Sequence, residues 1–333
     1  MELRRLGNTG LQVSALGLGT LTWGRDTLEA ECAAQLEAFI EAGGNLLDTS
    51  PTYGEGEAQK VLGSLLGTGG NRIARREDLV IVSKSGVNRR GERTFVEASR
   101  SAMLASLDDT LRELGTDYVD LWMVQVPDPE TNFDVVLATL SAAYRSGKAR
   151  YVGLSNHASW QVAYGAARLG NTVGGGIADS GLGLPGLAAV TNEYSLLNRE
   201  LEREILPAAT ALGVGVLGWS ALGRGVLTGK YRNSTPPDSR GASLHLQGFV
   251  KPYLTSEKRR IVESVATAAE GLHESVLAVS LAWVLSRPGL SSAIVGARTG
   301  DQLVQILRSV ETKLPRQVAT ALNEVSDPIN PLN

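Results

Sequence analysis

The 333 residues include 43% hydrophobic side chains and have a mean hydropathy of −0.03, which excludes a disordered polymer and a membrane bundle and leaves one large α/β barrel or two ordinary domains. Lys and Arg number 32 against 35 Asp and Glu, a balance of −3 without the positive excess that a phosphate backbone demands, so nucleic acid is not an expected partner. One cysteine, Cys32, forms no intramolecular disulfide, and His157, His245 and His273 stand too far apart in the chain for a zinc cluster, so no metal is expected.

Along the chain, the opening MELRRLGNTG lacks the apolar run of a secretory signal, and no run of about 18 apolar residues follows, which points to a cytoplasmic protein without a membrane partner. Met1 to Val13 reads as a hairpin around Gly7-Asn8-Thr9-Gly10, placed as a plug on a barrel bottom. A strand over Ala15 to Thr20 is followed by a helical pattern through Leu36, Phe39 and Ile40. The pairing then recurs: Asn45 to Thr49 before a helix over Ala58 to Leu66, Leu79 to Lys84 before a helix from Val96 to Leu114, and Tyr118 to Val124 before Val135 to Tyr144. Arg150 to Ser155 precedes Trp160 to Leu169, Ala188 to Asn192 precedes a helix from Arg199 to Leu212, and Val214 to Trp219 precedes a long polar loop, Arg232 to Lys251. Two helical stretches, Ile261 to Ala269 and Val276 to Leu285, lead to a last strand at Ser292 to Gly296. Several strands are apolar throughout, as strands covered on both faces are. Strand–helix units repeated without a composition break predict a (β/α)8 TIM barrel with an N-terminal β-hairpin plug and extra helices, one domain over residues 1–333.

Two glycine-rich strings are decoys. Gly181-Leu-Gly183-Leu-Pro-Gly186 matches a dinucleotide fingerprint but follows no strand and contains Pro185, so it reads as loop. Arg224 to Lys230 nearly spells a phosphate loop, yet Arg224 stands where its first Gly belongs and Tyr231 where Ser or Thr would bind magnesium.

Chemistry in a barrel gathers at the C-terminal ends of the strands. Asp48, Lys84 and Gln125 interrupt three of those ends, and Tyr53 follows Asp48 by five residues. A phenol titrates near 10 in water, and a neighbouring ammonium lowers that value. Lys84 held by Asp48 would thus make Tyr53 a proton donor to a developing alkoxide; the same spacing also suits a simple barrel-top ion pair with Tyr53 as packing. On the far side, Ser220 to Lys230 is rich in small residues that let backbone approach a pyrophosphate, with Lys230 as counter-charge. Thr299 and Gln302 have capping-box spacing after Gly296, which predicts a helix N-terminus beside Arg298.

With these residues in place the sequence resembles the aldo-keto reductase superfamily from Leu3 to Leu307, in the look of its bacterial NADPH-dependent branch. The motifs are Gly17-Leu-Gly19-Thr20, Asp48-Thr-x-x-x-Tyr53-Gly with Glu57 and Leu62-Gly63, Ser83-Lys84, Tyr118-Val-Asp-Leu121, Gly153-Leu-Ser155-Asn156, Asn192 to Arg199, Trp219 to Lys230 and Gly296-Ala-Arg298. The resemblance implies NADPH, ahead of NADH, as cofactor and reduction of a small carbonyl substrate, hydride passing from nicotinamide C4 while Tyr53 protonates the oxygen. It implies Tyr53 as general acid tuned by Lys84 and Asp48, and Ser155 and Asn156 as holders of the nicotinamide carboxamide. Trp219 falls on the ring-stacking position. Ser220, Leu222, Gly223, Gly225 and Lys230 match the pyrophosphate loop, with Gly296 at the following strand end. Arg298, Thr299 and Gln302 match the 2′-phosphate and adenine end, and Gly19 and Thr20 the ribose. Trp23 is expected as a wall of the substrate pocket with Tyr53 and Gln125, or as an apolar plug.

Three positions depart from the family pattern. Gln125 stands where histidine is usual and cannot become cationic. Thr191 replaces a carboxamide-binding glutamine, and Ile306 an asparagine near the adenine. A second reading is a cofactor-responsive regulatory protein resembling potassium-channel β-subunits, with little turnover. A third is a lyase using Lys84 as a Schiff-base nucleophile. Nothing in the sequence specifies an oligomer.

Overall fold

The computed structural model describes residues 1–67, 73–91, 93–176, 185–237 and 239–328. In chain order its strands are β1 (Leu3–Arg5), β2 (Gln12–Ser14), β3 (Leu16–Gly19), β4 (Leu46–Asp48), β5 (Val80–Ser85), β6 (Val87–Arg90), β7 (Arg93–Val96), β8 (Val119–Val124), β9 (Ala149–Ser155), β10 (Leu187–Glu193), β11 (Gly215–Trp219) and β12 (Leu290–Val295). Its helices are α1 (Glu29–Glu41), α2 (Ala58–Leu66), α3 (Arg100–Leu114), α4 (Phe133–Arg145), α5 (Ser159–Leu169), α6 (Ile205–Leu212), α7 (Gln247–Val250), α8 (Ser256–Leu272), α9 (Val276–Leu285), α10 (Gly300–Arg308) and α11 (Arg316–Val325).

β3, β4, β5, β8, β9, β10, β11 and β12 pair in parallel in that order, and β12 returns to β3 to close the barrel. The strands are buried on both faces because two apolar layers meet there. Outward residues such as Trp122, Val124 and Val152 pack with Leu36, Leu107 and Leu140 of the helices, while Leu46, Val82, Leu121 and Leu217 fill the interior. Leu6 and Val13 of the β1–β2 hairpin join the interior set, so the hairpin plugs one end, as its sequence predicts. Asn8 N–H donates to Gly213 O at 2.8 Å and ties the plug to the barrel bottom.

The bounds of α2 and α9 agree with the sequence reading. Two helices are shorter than expected. Val96 is drawn into a second hairpin, pairing with Val87, and Ser99 then caps α3 by accepting from Ala102 N–H. The expected helix from Arg199 breaks into a turn over Glu200–Glu202 and α6. Pro207 explains the break: it has no N–H, and its ring collides with the carbonyl four residues back, so it is tolerated only in a first turn. Gly181 and Gly183 of the fingerprint-like string lie outside the described residues. No single helix among the described residues is long and apolar enough to cross a membrane.

Candidate active site

β4 and β5 deliver Asp48 and Lys84 to the top of the barrel, and Tyr53 sits on a short turn, Tyr53–Gly56, just beyond β4. Lys84 Nζ donates to Asp48 Oδ1 at 2.5 Å and to Thr49 O at 3.0 Å, and lies 3.3 Å from Tyr53 OH, whose proton is directed to Asp48 Oδ2 at 3.3 Å. Asp48 and Lys84 are buried, where an ion pair persists only with its hydrogen bonds satisfied, as here. Burial works against the Lys84 charge, but Asp48 and Tyr53 outweigh it and hold the ammonium above its ordinary value. A lysine held in its charged form is a poor nucleophile, which counts against a Schiff-base role. Tyr53 moves opposite to the sequence expectation. Burial and the Asp48 charge raise it to about 12, and Lys84 only limits the rise.

All four residues at the strand ends line one elongated cavity of about 840 Å³. Beside Tyr53 and Gln125 come Ser155, Asn156, Thr191 and Trp219. Asn156 Nδ2 donates to Gln125 O and Ser155 Oγ, and its Oδ1 accepts from Trp219 Nε1 at 2.9 Å, which fixes the indole at the mouth of β11. Phe249 stacks on Trp219 with centroids 6.4 Å apart. Thr191 Oγ1 is buried with no hydrogen-bond partner in a wall it shares with Ser155. Such a hydroxyl is costly unless a ligand completes it, and a nicotinamide carboxamide carries both the donor and the acceptor to do so.

The cavity continues past Ser220, Leu222, Gly225, Lys230 and Gly296 to Arg298 and Gln302. Gly223, Arg224 and Gly225 are consecutive left-handed residues with φ of 54°, 59° and 93°. A Cβ on Gly296 would stand 3.1 Å from Gly19 O and 3.3 Å from Arg240 Nη2, tighter than an ordinary contact, so glycine lets this wall pass close to the end of β3. The expected N-cap forms, Thr299 Oγ1 accepting from Gln302 N–H, but the reciprocal half of the box is displaced by one residue: Gln302 Oε1 accepts from Arg298 N–H rather than from Thr299. Gly300 N–H, however, donates to Glu31 Oε2 at 2.6 Å, so with Gln302 N–H two first-turn amides of α10 are already taken, and Thr299 does not line the cavity. Residues that fit a dinucleotide thus run from the carboxamide wall to the cations.

Three other expected residues lie elsewhere. Trp23 is fully buried, its Nε1–H bonded to Gln35 Oε1 at 3.1 Å. It belongs to the core, and Leu21 lines the cavity instead. Thr20 is buried against Asp48 O and Thr49 Oγ1, and Gly223 is buried and does not line the cavity. Conversely, the sequence reading passed over Arg240 and Arg224. Arg240 lies in the long loop after β11, lines the cavity and donates to Gly296 O at 3.0 Å. Burial first, and also the like charge of Arg298, push its guanidinium below the ordinary value, which an anion between the two would relieve. Arg224 forms a bidentate pair with Glu193 at 2.8 and 2.7 Å, sits over the Phe249 ring and donates to Phe249 O, so it moors the long loop to β10. His157 stays local, its Nδ1–H donating to Ser155 O.

Residues 15–327 match the model of the Aldo/keto reductase family. The chain is also similar over its length to the "Uncharacterized oxidoreductase YrpG" of Bacillus subtilis (strain 168), 32% identical with 98% of this chain and 96% of the relative covered. "Protein tas" of Escherichia coli (strain K12) is 32% identical, covering 98% and 97%. "Aldo-keto reductase YhdN" of Bacillus subtilis (strain 168) is 26% identical, covering 99% and 97%.

Proposed function

The chain belongs to the aldo/keto reductase family of NAD(P)H-dependent oxidoreductases, and from that membership we propose that it reduces an aldehyde or ketone to the alcohol, with NADPH as cofactor and Tyr53 as proton donor. The observation that carries the proposal is one cavity holding the Asp48–Lys84–Tyr53 group, the orphan Thr191 hydroxyl, and Arg240 with Arg298. The single buried thiol, Cys32, suits a reducing, cytoplasmic compartment.

When bound, the reduced nicotinamide supplies the hydride equivalent that the carbonyl carbon takes up. The protein does the rest. Ser155, Asn156 and Thr191 hold the carboxamide, and Trp219, braced by Asn156 and Phe249, covers the ring. The Tyr53 hydroxyl gives its proton to the oxygen as negative charge grows there, and Lys84 stabilises the phenolate left behind. Asp48 keeps Lys84 charged and aimed, and Tyr53 regains a proton from solvent. Gln125 adds a neutral N–H donor to the same oxygen. Arg240 and Arg298 would receive the 2′-phosphate, which favours NADPH over NADH.

Tyr53→Phe should lower carbonyl reduction by about 10²- to 10⁴-fold while NADPH binding, followed by fluorescence, persists. Arg240→Ala with Arg298→Ala should weaken NADPH about 10- to 100-fold and leave NADH nearly unchanged. Full activity in Tyr53→Phe sinks the catalytic assignment; equal losses for both cofactors sink the phosphate assignment.

A further inference from the structure

Gln125 follows β8, and the end of its amide that faces the cavity decides what it can do. The NH2 end donates to a carbonyl oxygen; the C=O end repels it. Its main chain is fixed on both sides, Gln125 N–H donating to Ser85 O at 2.8 Å and Gln125 O accepting from Asn156 Nδ2 at 2.9 Å. The side chain is fixed by one further residue. Ser50 Oγ lies 2.8 Å from Gln125 Oε1. The hydroxyl has one proton to give, and its oxygen already faces Thr52 N–H at 3.4 Å and Thr52 Oγ1 at 3.1 Å. With Thr52 as donor, the Ser50 proton goes to Oε1, and the Gln125 NH2 group is left turned to the cavity. Ser50 is fully buried, so water does not compete for that bond.

We propose that Ser50 is a positioning residue that locks the Gln125 amide with its N–H donors toward the substrate carbonyl, forming with Tyr53 a pair of neutral donors. The inference rests on the reading that Gln125 meets the carbonyl. It also gives the segment after β4 a further duty: Asp48, Ser50 and Tyr53 come from one short stretch, so tuning of the acid and aiming of the amide share a backbone. A freely turning amide would spend part of its time presenting its oxygen to a growing negative charge. The locked amide does not.

Two readouts test this. In protein labelled with ¹⁵N-glutamine and without cofactor, the Gln125 side-chain signal, identified by its loss in Gln125→His, should shift in Ser50→Ala while other glutamine signals stay in place. In turnover, Ser50→Ala should lower kcat/KM for an aldehyde on the order of tenfold, with NADPH affinity unchanged, and the same change made in Gln125→His should have less than about a twofold effect, since coupled residues are non-additive. An unmoved amide signal overturns the proposal, and so does an equal loss in both backgrounds. The amide signal decides the Ser50–Gln125 link even if Tyr53→Phe shows that carbonyl reduction is the wrong reaction.

Discussion

A phenol partly buried in protein and 3.3 Å from a carboxylate oxygen is harder to ionise than one in water, and Tyr53 is in that position. Burial raises it first and Asp48 second, against the lowering by Lys84, for a value of about 12. In the proposed reaction such a group keeps its proton until substrate oxygen demands it. Reduction should therefore show no alkaline fall from Tyr53 ionisation between pH 7 and the ordinary phenol value of about 10. Difference absorbance between the parent protein and Tyr53→Phe should find this phenolate only above that value; an inflection near pH 7 to 8 assigned to Tyr53 would refute the argument. The convergence of Asp48, Tyr53, Lys84 and Gln125 on one cavity was legible in the sequence because polar groups that interrupt or follow the C-terminal ends of apolar strands gather at one end of a barrel. Trp23, Ser50 and Arg240 were not. Whether a side chain after a strand turns into the cavity or under it depends on the dihedral angles of one turn, which residue type does not encode.

The turn that carries Tyr53 is itself an element with a strict requirement. Gly54 has φ of 56° and its N–H donates to Leu21 O at 3.0 Å. A Cβ there would lie 1.8 Å from Trp23 O, so the buried Trp23 segment is the template against which the turn is pressed. Gly54→Ala should cost about 1–3 kcal/mol of stability and should lower kcat with NADPH affinity retained, because the turn shifts Tyr53 without touching the phosphate end. Unchanged kcat in a folded Gly54→Ala protein would show that Tyr53 is not positioned by this contact. At this scale the barrel strands and most helices were legible from apolar runs and periodicity, since each must bury a face. The β6–β7 hairpin was not, because only four residues form each strand and Arg89, Arg90 and Arg93 mask the alternation. Arg89 instead serves the turn, bonding both the carbonyl and the carboxylate of Glu55.

For the molecule as a whole, acid stability turns on a residue that does no chemistry. His157 is 3% exposed and stacks on Phe133 with centroids 5.6 Å apart. Its Nδ1 carries the proton given to Ser155 O at 2.8 Å, because a carbonyl can only accept. Burial, the largest cause, lowers it to about 4, with the Ser155 bond opposing. The unfolded chain protonates this imidazole near 6.5, so between there and about 4 the unfolded state binds more protons than the folded one. Stability must then fall as pH falls through that window, by roughly 3 kcal/mol over its full width. Asp128 and Glu202 shift the other way, held below their ordinary values although burial, the largest single influence on each, opposes this: backbone and side-chain donors outweigh it at Asp128, and Arg199 and Tyr194 at Glu202. Their stabilisation is complete above the carboxylate range and is lost only as pH drops through it, so near pH 5 the histidine dominates. His157→Phe keeps a ring against Phe133 and removes the titration. Urea midpoints compared at pH 7 and pH 5 should fall clearly for the parent protein and much less for this variant, and parallel losses in both would locate the acid sensitivity elsewhere.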